Sequence, residues 1–207
     1  MGSKKLVGPL LTEMITYDWI VVSVDYRLKS KAGYPTQLID CKRALRWVKD
    51  EIRIFGGNPQ NIVVAGDSAG GQIALMLATT ANRPEYQPGF EDVDTSVRGV
   101  LGLSPVVNLV DEGDHCNHRS RTRFIKEVAL REGSPESEET CTAPIVYLEV
   151  PGGHHCFHLI SSPRSWYIAI TAGQWLSYHF DGINNIDIKK DGKQPRAEEL
   201  VEWGWST

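Results

Sequence analysis

Asn61-Ile62-Val63-Val64-Ala65 runs into Gly66-Asp67-Ser68-Ala69-Gly70-Gly71, and Gln72-Ile73-Ala74-Leu75-Met76-Leu77-Ala78 follows. The first part is short, apolar and β-branched, the pattern of a strand buried on both faces of a parallel sheet. From Gln72 to about Ala81 the chain reads as a helix that is apolar nearly all round, so it should be sandwiched rather than exposed. Between them lies G-x-S-x-G. Three such fixed positions recur by chance in about one window of 3,000, and a strand-to-helix setting removes most stray matches. A serine on that turn needs a strained backbone that lifts its hydroxyl above the sheet, and the flanking glycines let neighbouring backbone pass close by. The helix N-terminus favours negative charge developing nearby, and the Ala69 N–H is a candidate oxyanion donor. A tight connection without chemistry is the competing reading. A phosphate loop is excluded, since no Gly-Lys-Ser/Thr follows.

Working outward, Trp19-Ile20-Val21-Val22-Ser23-Val24-Asp25 reads as another strand buried on both faces. Leu38, Cys41, Leu45, Val48, Ile52 and Phe55 recur at helical spacing, with Thr36 as a candidate N-cap and Gly56-Gly57, then Pro59, as the stop. Val97–Leu103 and Pro144–Val150 supply two further strands. Ser162-Pro163 opens a last helix with Trp166, Ala169, Ile170, Gly173, Leu176 and Phe180 on one side. Strands alternating with helices predict an α/β fold with a mostly parallel sheet. The stretch 104–143 is polar and mixed, with a candidate helix over Arg123–Arg131. The tail after Asp181 is polar and Gly-spotted, with a candidate helix over Pro195–Trp205.

The chain has 207 residues, enough for one medium domain. With 22 Lys and Arg against 26 Asp and Glu its net charge is −4, which offers no footprint for nucleic acid or an anionic membrane. Apolar residues at 41% and charged residues at 23% suit a globular chain. The apolar runs fall far short of a membrane span, and the first residues lead into no signal-peptide core. The four cysteines, at 41, 116, 141 and 156, form no C-x-x-C pair. Reduced thiols in a cytoplasmic protein are the expectation.

A nucleophilic serine needs a base. In strand–serine–helix enzymes of this kind the histidine comes last in the chain, after the final strand. That order points to the loop Gly152-Gly153-His154-His155-Cys156-Phe157-His158. His179, late in the closing helix, reads as exposed. His115 and His118 together with the 154–158 group could suggest zinc, but nothing fixes tetrahedral spacing, so no metal is expected.

Several further stretches stand in order: Asp25-Tyr26-Arg27-Leu28, Pro35, Asp40, Trp47-Val48, Phe55-Gly56-Gly57-Asn58-Pro59, the Gly66–Gly71 segment, Tyr86-Gln87-Pro88-Gly89-Phe90-Glu91-Asp92, and Glu149-Val150-Pro151-Gly152-Gly153-His154-His155-Cys156-Phe157. Together they resemble serine esterases and lipases of the α/β-hydrolase superfamily, in the hormone-sensitive-lipase-like branch. The resemblance covers residues 1 to about 110 and 144–180.

It implies an α/β-hydrolase domain over 1–180, with 104–143 as a variable, lid-like segment and 181–207 as a tail. It implies a carboxylic-ester hydrolase without a cofactor, acting on small-molecule esters through an acyl-enzyme. Ser68 takes the nucleophile's place, Ala69 that of the oxyanion donor, and Gly66, Asp67, Gly70 and Gly71 build the turn. Aligned with the pattern Leu-Pro-Gly-x-x-His-x-Phe, His155 takes the catalytic place and His154 the variable slot before it. The resemblance further implies a sheet shortened at its N-terminal side and internally. The branch's His-Gly-Gly-Gly-type segment has no counterpart in these 207 residues. The strand that carries its acid would fall within the 41 residues between Leu103 and Ile145, where no Asp occurs after Asp114. Acid candidates one strand earlier are Asp111, Glu112 and Asp114, which also read as a solvated acidic loop. A second expectation follows: a hydrolase-derived module that binds rather than turns over, with an open sheet edge available for dimerisation.

Overall fold

A computed structural model describes residues 3–5, 8–28, 33–105, 154–155 and 157–180. In chain order these form α1 (Pro9–Thr16), α2 (Thr36–Glu51), β1 (Val63–Asp67), α3 (Ala69–Thr79), β2 (Gly99–Leu103) and α4 (Pro163–Phe180), with short 3-10 turns at Ile52–Phe55, Pro84–Tyr86 and Phe157–Leu159. β1 and β2 pair in parallel, Val63 opposite Gly99 through Asp67 opposite Leu103, and α3 is the crossover between them. The strand–helix–strand order read from the sequence is therefore present.

Alternation along β1 sends neighbouring side chains to opposite faces. Val63, with Leu101 and Leu103, packs on one core made by Leu10 and Met14 of α1 and by Ala169, Ala172, Leu176 and Phe180 of α4. Val64 packs on the other, where Leu38 of α2 and Leu77 of α3 meet Tyr86. The result is three layers, α1/α4, sheet, α2/α3. Two close approaches set their spacing. A methyl at Gly99 would stand 3.1 Å from the Phe180 ring, and one at Gly173 would press into the ring of Tyr17.

Several expectations are corrected. Trp19–Asp25 joins no ladder among the described residues; Trp19 and Val21 face the α1/α4 core, whereas Ile20, Val22 and Val24 are exposed. A run with no neighbour on its flank buries one side of its pleat only. β1, paired with β2 along one flank, is half-buried, and Ala65 at its middle is exposed. α3 begins at Ala69, three residues before the expected start, because Gly70 and Gly71 lie in its first turn. Thr36 is the first residue of α2, and Pro35 stands at its cap. On α4 the buried side runs through Ser165, Ile168, Ala169, Ala172, Gly173, Leu176 and Phe180, while Trp166 and Ile170 are exposed. Ser162 does cap that helix: the Ser165 N–H donates to Ser162 Oγ at 3.2 Å, and the Ser162 N–H donates to Ser165 Oγ at 2.8 Å, a reciprocal capping box.

The sequence reading did not anticipate α1, although Pro9 stands at its start, the position proline favours. Nor did it anticipate Lys42, fully buried on the apolar side of α2. Its ammonium donates to the Thr80 carbonyl (2.5 Å), Thr95 Oγ1 (3.1 Å) and Gln87 Oε1 (3.2 Å), so the buried charge sits in a cage of acceptors. Burial pushes its pKa down to about 8. The extended segment is tied to α2 by Arg27, whose guanidinium grips both carboxylate oxygens of Asp40 at 2.9 and 2.7 Å.

The expected strand at Pro144–Val150, the 106–143 part of the lid-like segment with its Arg123–Arg131 helix, and the tail 181–207 lie outside the described residues.

Candidate active site

β1 ends at Asp67 and α3 begins at Ala69, so Ser68 turns the chain alone. It does so at φ 56° and ψ −116°, a left-handed conformation that costs a non-glycine residue on the order of 1–3 kcal/mol. Its surroundings hold it there. The Ser68 N–H donates to the Leu103 carbonyl at 2.9 Å, extending the β1–β2 ladder, and the Ser68 carbonyl accepts the first helical bond, from Gln72 N–H at 3.1 Å. Gly66 and Gly71 are needed for space. A methyl on Gly66 would overlap the Gly70 carbonyl, and one on Gly71 would meet the Gly66 oxygen at 3.0 Å and Pro105 at 3.1 Å. Gly70 differs, since a methyl there meets nothing within 4 Å. The tightness comes from the Gly70 backbone passing over Gly66, not from crowding at Gly70 itself. Ala69 is the first residue of α3, where an N–H has no partner within the helix.

The other half of the site comes from 87 residues further along the chain. His155 places Nε2 2.9 Å from Ser68 Oγ. It is exposed, and its neighbours brace it. His154 Nδ1 lies 3.2 Å from the His155 carbonyl, and the His154 ring meets Phe157 edge to face with centroids 6.5 Å apart. Phe157 meets His158 the same way at 5.6 Å. His158 is buried beneath this loop, its Nε2 2.9 Å from Oδ1 of Asp67, off hydrogen-bond angles but at ion-pair distance. The residue just before the serine thus touches the residue three after the histidine. Both stand in the quoted sequence stretches, yet no periodicity or spacing pairs them, and the sequence reading missed the link. An open hollow of about 420 Å³ lies beside the loop, lined by His154, Phe157, Ile160, Ser162, Pro163 and Arg164.

The structure thus brings together Gly66, Asp67, Ser68, Ala69, Gly70, Gly71 and His155. Asp111, Glu112 and Asp114 lie outside the described residues, as do Gly152, Gly153, Cys156, His115 and His118. His179 is exposed on α4, against the Trp175 ring at 4.7 Å. Among the described residues no cluster of His, Cys, Asp and Glu is placed to hold a metal ion, and no helix is long and apolar enough to cross a membrane.

A parallel strand pair with its crossover helix, a left-handed serine between strand and helix, and a histidine at hydrogen-bond distance define a protein of the α/β-hydrolase fold. The chain belongs to the BD-FAE family, whose match covers residues 2–150. Among curated relatives, esterase LipQ of Mycobacterium tuberculosis is 28% identical over 216 residues, covering 84% of this chain and 51% of the relative. The probable carboxylic ester hydrolase LipM of the same organism is 28% identical over 211 residues, covering 82% and 49%. Its carboxylesterase NlhH is 52% identical over a shorter stretch of 62 residues, 30% of this chain and 19% of the relative. The chain spans about half the length of LipQ and LipM.

Proposed function

We propose that this chain hydrolyses carboxylic esters through Ser68 and His155. The observation that carries the reading is the 2.9 Å approach of His155 Nε2 to Ser68 Oγ, made at a serine held in a left-handed strand-to-helix turn. Esterase relatives support it. Ser68 Oγ attacks the acyl carbon while His155 Nε2 takes the hydroxyl proton. The Ala69 N–H stabilises the oxyanion as the carbonyl π bond opens. Collapse re-forms the carbonyl, breaks the ester C–O bond and sends the His155 proton to the departing alkoxide, leaving an acyl-enzyme and an alcohol. Water then attacks the acyl-enzyme, giving its proton to His155. The second collapse releases the acid and returns the proton to Ser68.

The substrates are short- to medium-chain esters, by analogy with the resembling branch. The free thiol of Cys41, half-buried among apolar neighbours and pushed up to about 12 by burial and by Asp40, suits a reducing, cytoplasmic setting. Turnover of p-nitrophenyl acetate and butyrate tests the reading. It requires hydrolysis by the wild type and loss of at least about 10³-fold in Ser68→Ala; equal rates in both would refute it.

A second reading, a module that associates through its sheet edge, is favoured by Ile20, Val22 and Val24, exposed on one side of an extended segment that joins no ladder among the described residues. It predicts a concentration-dependent dimer by sedimentation that Val22→Lys disperses. A monomer at all concentrations would end it.

A further inference from the structure

From the contact beneath the histidine loop we infer that His158 is a positioning residue, which sets the approach of His155 to Ser68 by clamping its loop onto Asp67. The inference rests on the Ser68–His155 reading and deepens it. His155 is exposed, and among the described residues it reaches across to the strand–helix turn at Ser68. An exposed imidazole on a loop samples several rotamers, and a misplacement of about 1 Å costs as much as 10²-fold in rate. Something must hold the loop.

His158 is the buried side chain that can do so. It is only 4% exposed, and it lies in the single 3-10 turn over Phe157–Leu159 that carries the loop into α4. Its Nε2 approaches Asp67 Oδ1 at 2.9 Å. Asp67 is joined directly to Ser68, and His158 follows His155 by three residues. One contact therefore closes a ring: serine, aspartate, buried histidine, loop, exposed histidine, serine. The backbone of the same turn is seated from below by α1, where a methyl at Gly8 would lie 3.6 Å from the His158 carbonyl and 3.5 Å from Leu159.

The clamp has a second consequence. A carboxylate one residue from the nucleophile opposes the negative charge that grows on the carbonyl oxygen during attack. His158 Nε2, 2.9 Å from Asp67 Oδ1, is the side-chain nitrogen placed to draw that charge away from the reaction. Packing alone asks nothing of the kind; any ring of the same size would fill the space.

That difference gives the test. His158→Phe keeps the ring and removes the nitrogen, whereas His158→Gln places an amide N–H where Nε2 stands. With p-nitrophenyl butyrate, His158→Phe should lower kcat about 10- to 100-fold with KM within about twofold of wild type. His158→Gln should recover kcat to within about threefold of wild type. Equal losses in both variants, wild-type kcat in His158→Phe, or a change confined to KM would overturn the clamp. Failure of the catalytic reading looks different, since the wild type would then be no faster than Ser68→Ala. In that case the contact is read without turnover, by a thermal-unfolding double-mutant cycle of His158→Phe with Asp67→Asn. Non-additive shifts in Tm are expected, and additive shifts refute the contact.

Discussion

The serine and the histidine stand 2.9 Å apart, yet they are held by opposite means. Ser68 is seated by backbone: a strand ladder on one side, a helix start on the other, and two glycines where a side chain would not fit. His155 is seated by side chains: an exposed loop braced by Phe157 and by the buried His158. The comparison teaches which half tolerates change. A backbone seat fails as a whole when a glycine is filled, and a side-chain seat loosens by degrees.

The largest effect should come from Gly66→Val, which drives a side chain into the Gly70 carbonyl. We expect a loss of about 3 kcal/mol or more in stability by urea unfolding and loss of any Ser68 reactivity. A stable, reactive variant would break the idea of a backbone seat. Lys42→Met comes next. It removes the ammonium from the Thr80 carbonyl, while Gln87 Oε1 keeps the Thr95 hydroxyl and Thr95 Oγ1 keeps the Asn82 N–H, at a cost of about 1–3 kcal/mol. The reactivity of the folded fraction stays at the wild-type level because Thr80 caps the C-terminal end of α3, away from the turn at its N-terminus.

The same residue gives a pH test. Its pKa is about 8 when folded against an ordinary 10.5, so between those values the unfolded chain holds one proton more. Stability from this group therefore rises with pH across about 8 to 10.5. Wild type minus Lys42→Met should show that slope, and a flat difference would contradict the buried charge.

On the histidine side, Gly173→Ala pushes a methyl into the Tyr17 ring where α1 meets α4. The crowding, partly offset by the helix preference for alanine, should cost about 1 kcal/mol in thermal unfolding. It should also slow Ser68 labelling, since both helices seat the loop; unchanged labelling would separate the loop from its support. The smallest effect is expected for Gly70→Ala, within about 1 kcal/mol of wild type and in the stabilising direction, because its methyl meets nothing. A large loss there would show that the turn needs freedom at Gly70 as well as space at Gly66.

This division also explains what the sequence made legible. β1, Ser68 and α3 are contiguous, so apolar run, glycines and periodicity announced the serine's turn together. The stop beyond α2 was legible for the same reason: Gly56 closes the 3-10 turn over Ile52–Phe55 that follows α2, at φ +84° as a left-handed glycine does. Long-range side-chain pairing leaves no such mark. His158 with Asp67, and Lys42 with Thr80, Gln87 and Thr95, join residues far apart in the chain, and a lysine on the apolar side of α2 reads as a flaw until its acceptors are seen. Trp166 and Ile170 were misplaced because the buried side of α4 runs instead through Ile168, Ala169, Ala172, Gly173, Leu176 and Phe180, where small Ala169, Ala172 and Gly173 let Leu10, Met14 and Tyr17 approach. Trp19–Asp25 was over-buried in the reading because composition reports what a segment could cover, not which neighbours it has.

The most direct test of the central claim, that Ser68 is an activated nucleophile paired with His155, is labelling with a fluorophosphonate read by intact mass. Wild type, Ser68→Ala and His155→Ala would be treated side by side at neutral pH. The account predicts one adduct on the wild type, mapped to Ser68, none on Ser68→Ala, and labelling of His155→Ala slowed by at least about 10²-fold. A folded wild type that takes no adduct, or one that His155→Ala labels as fast as wild type, would contradict it.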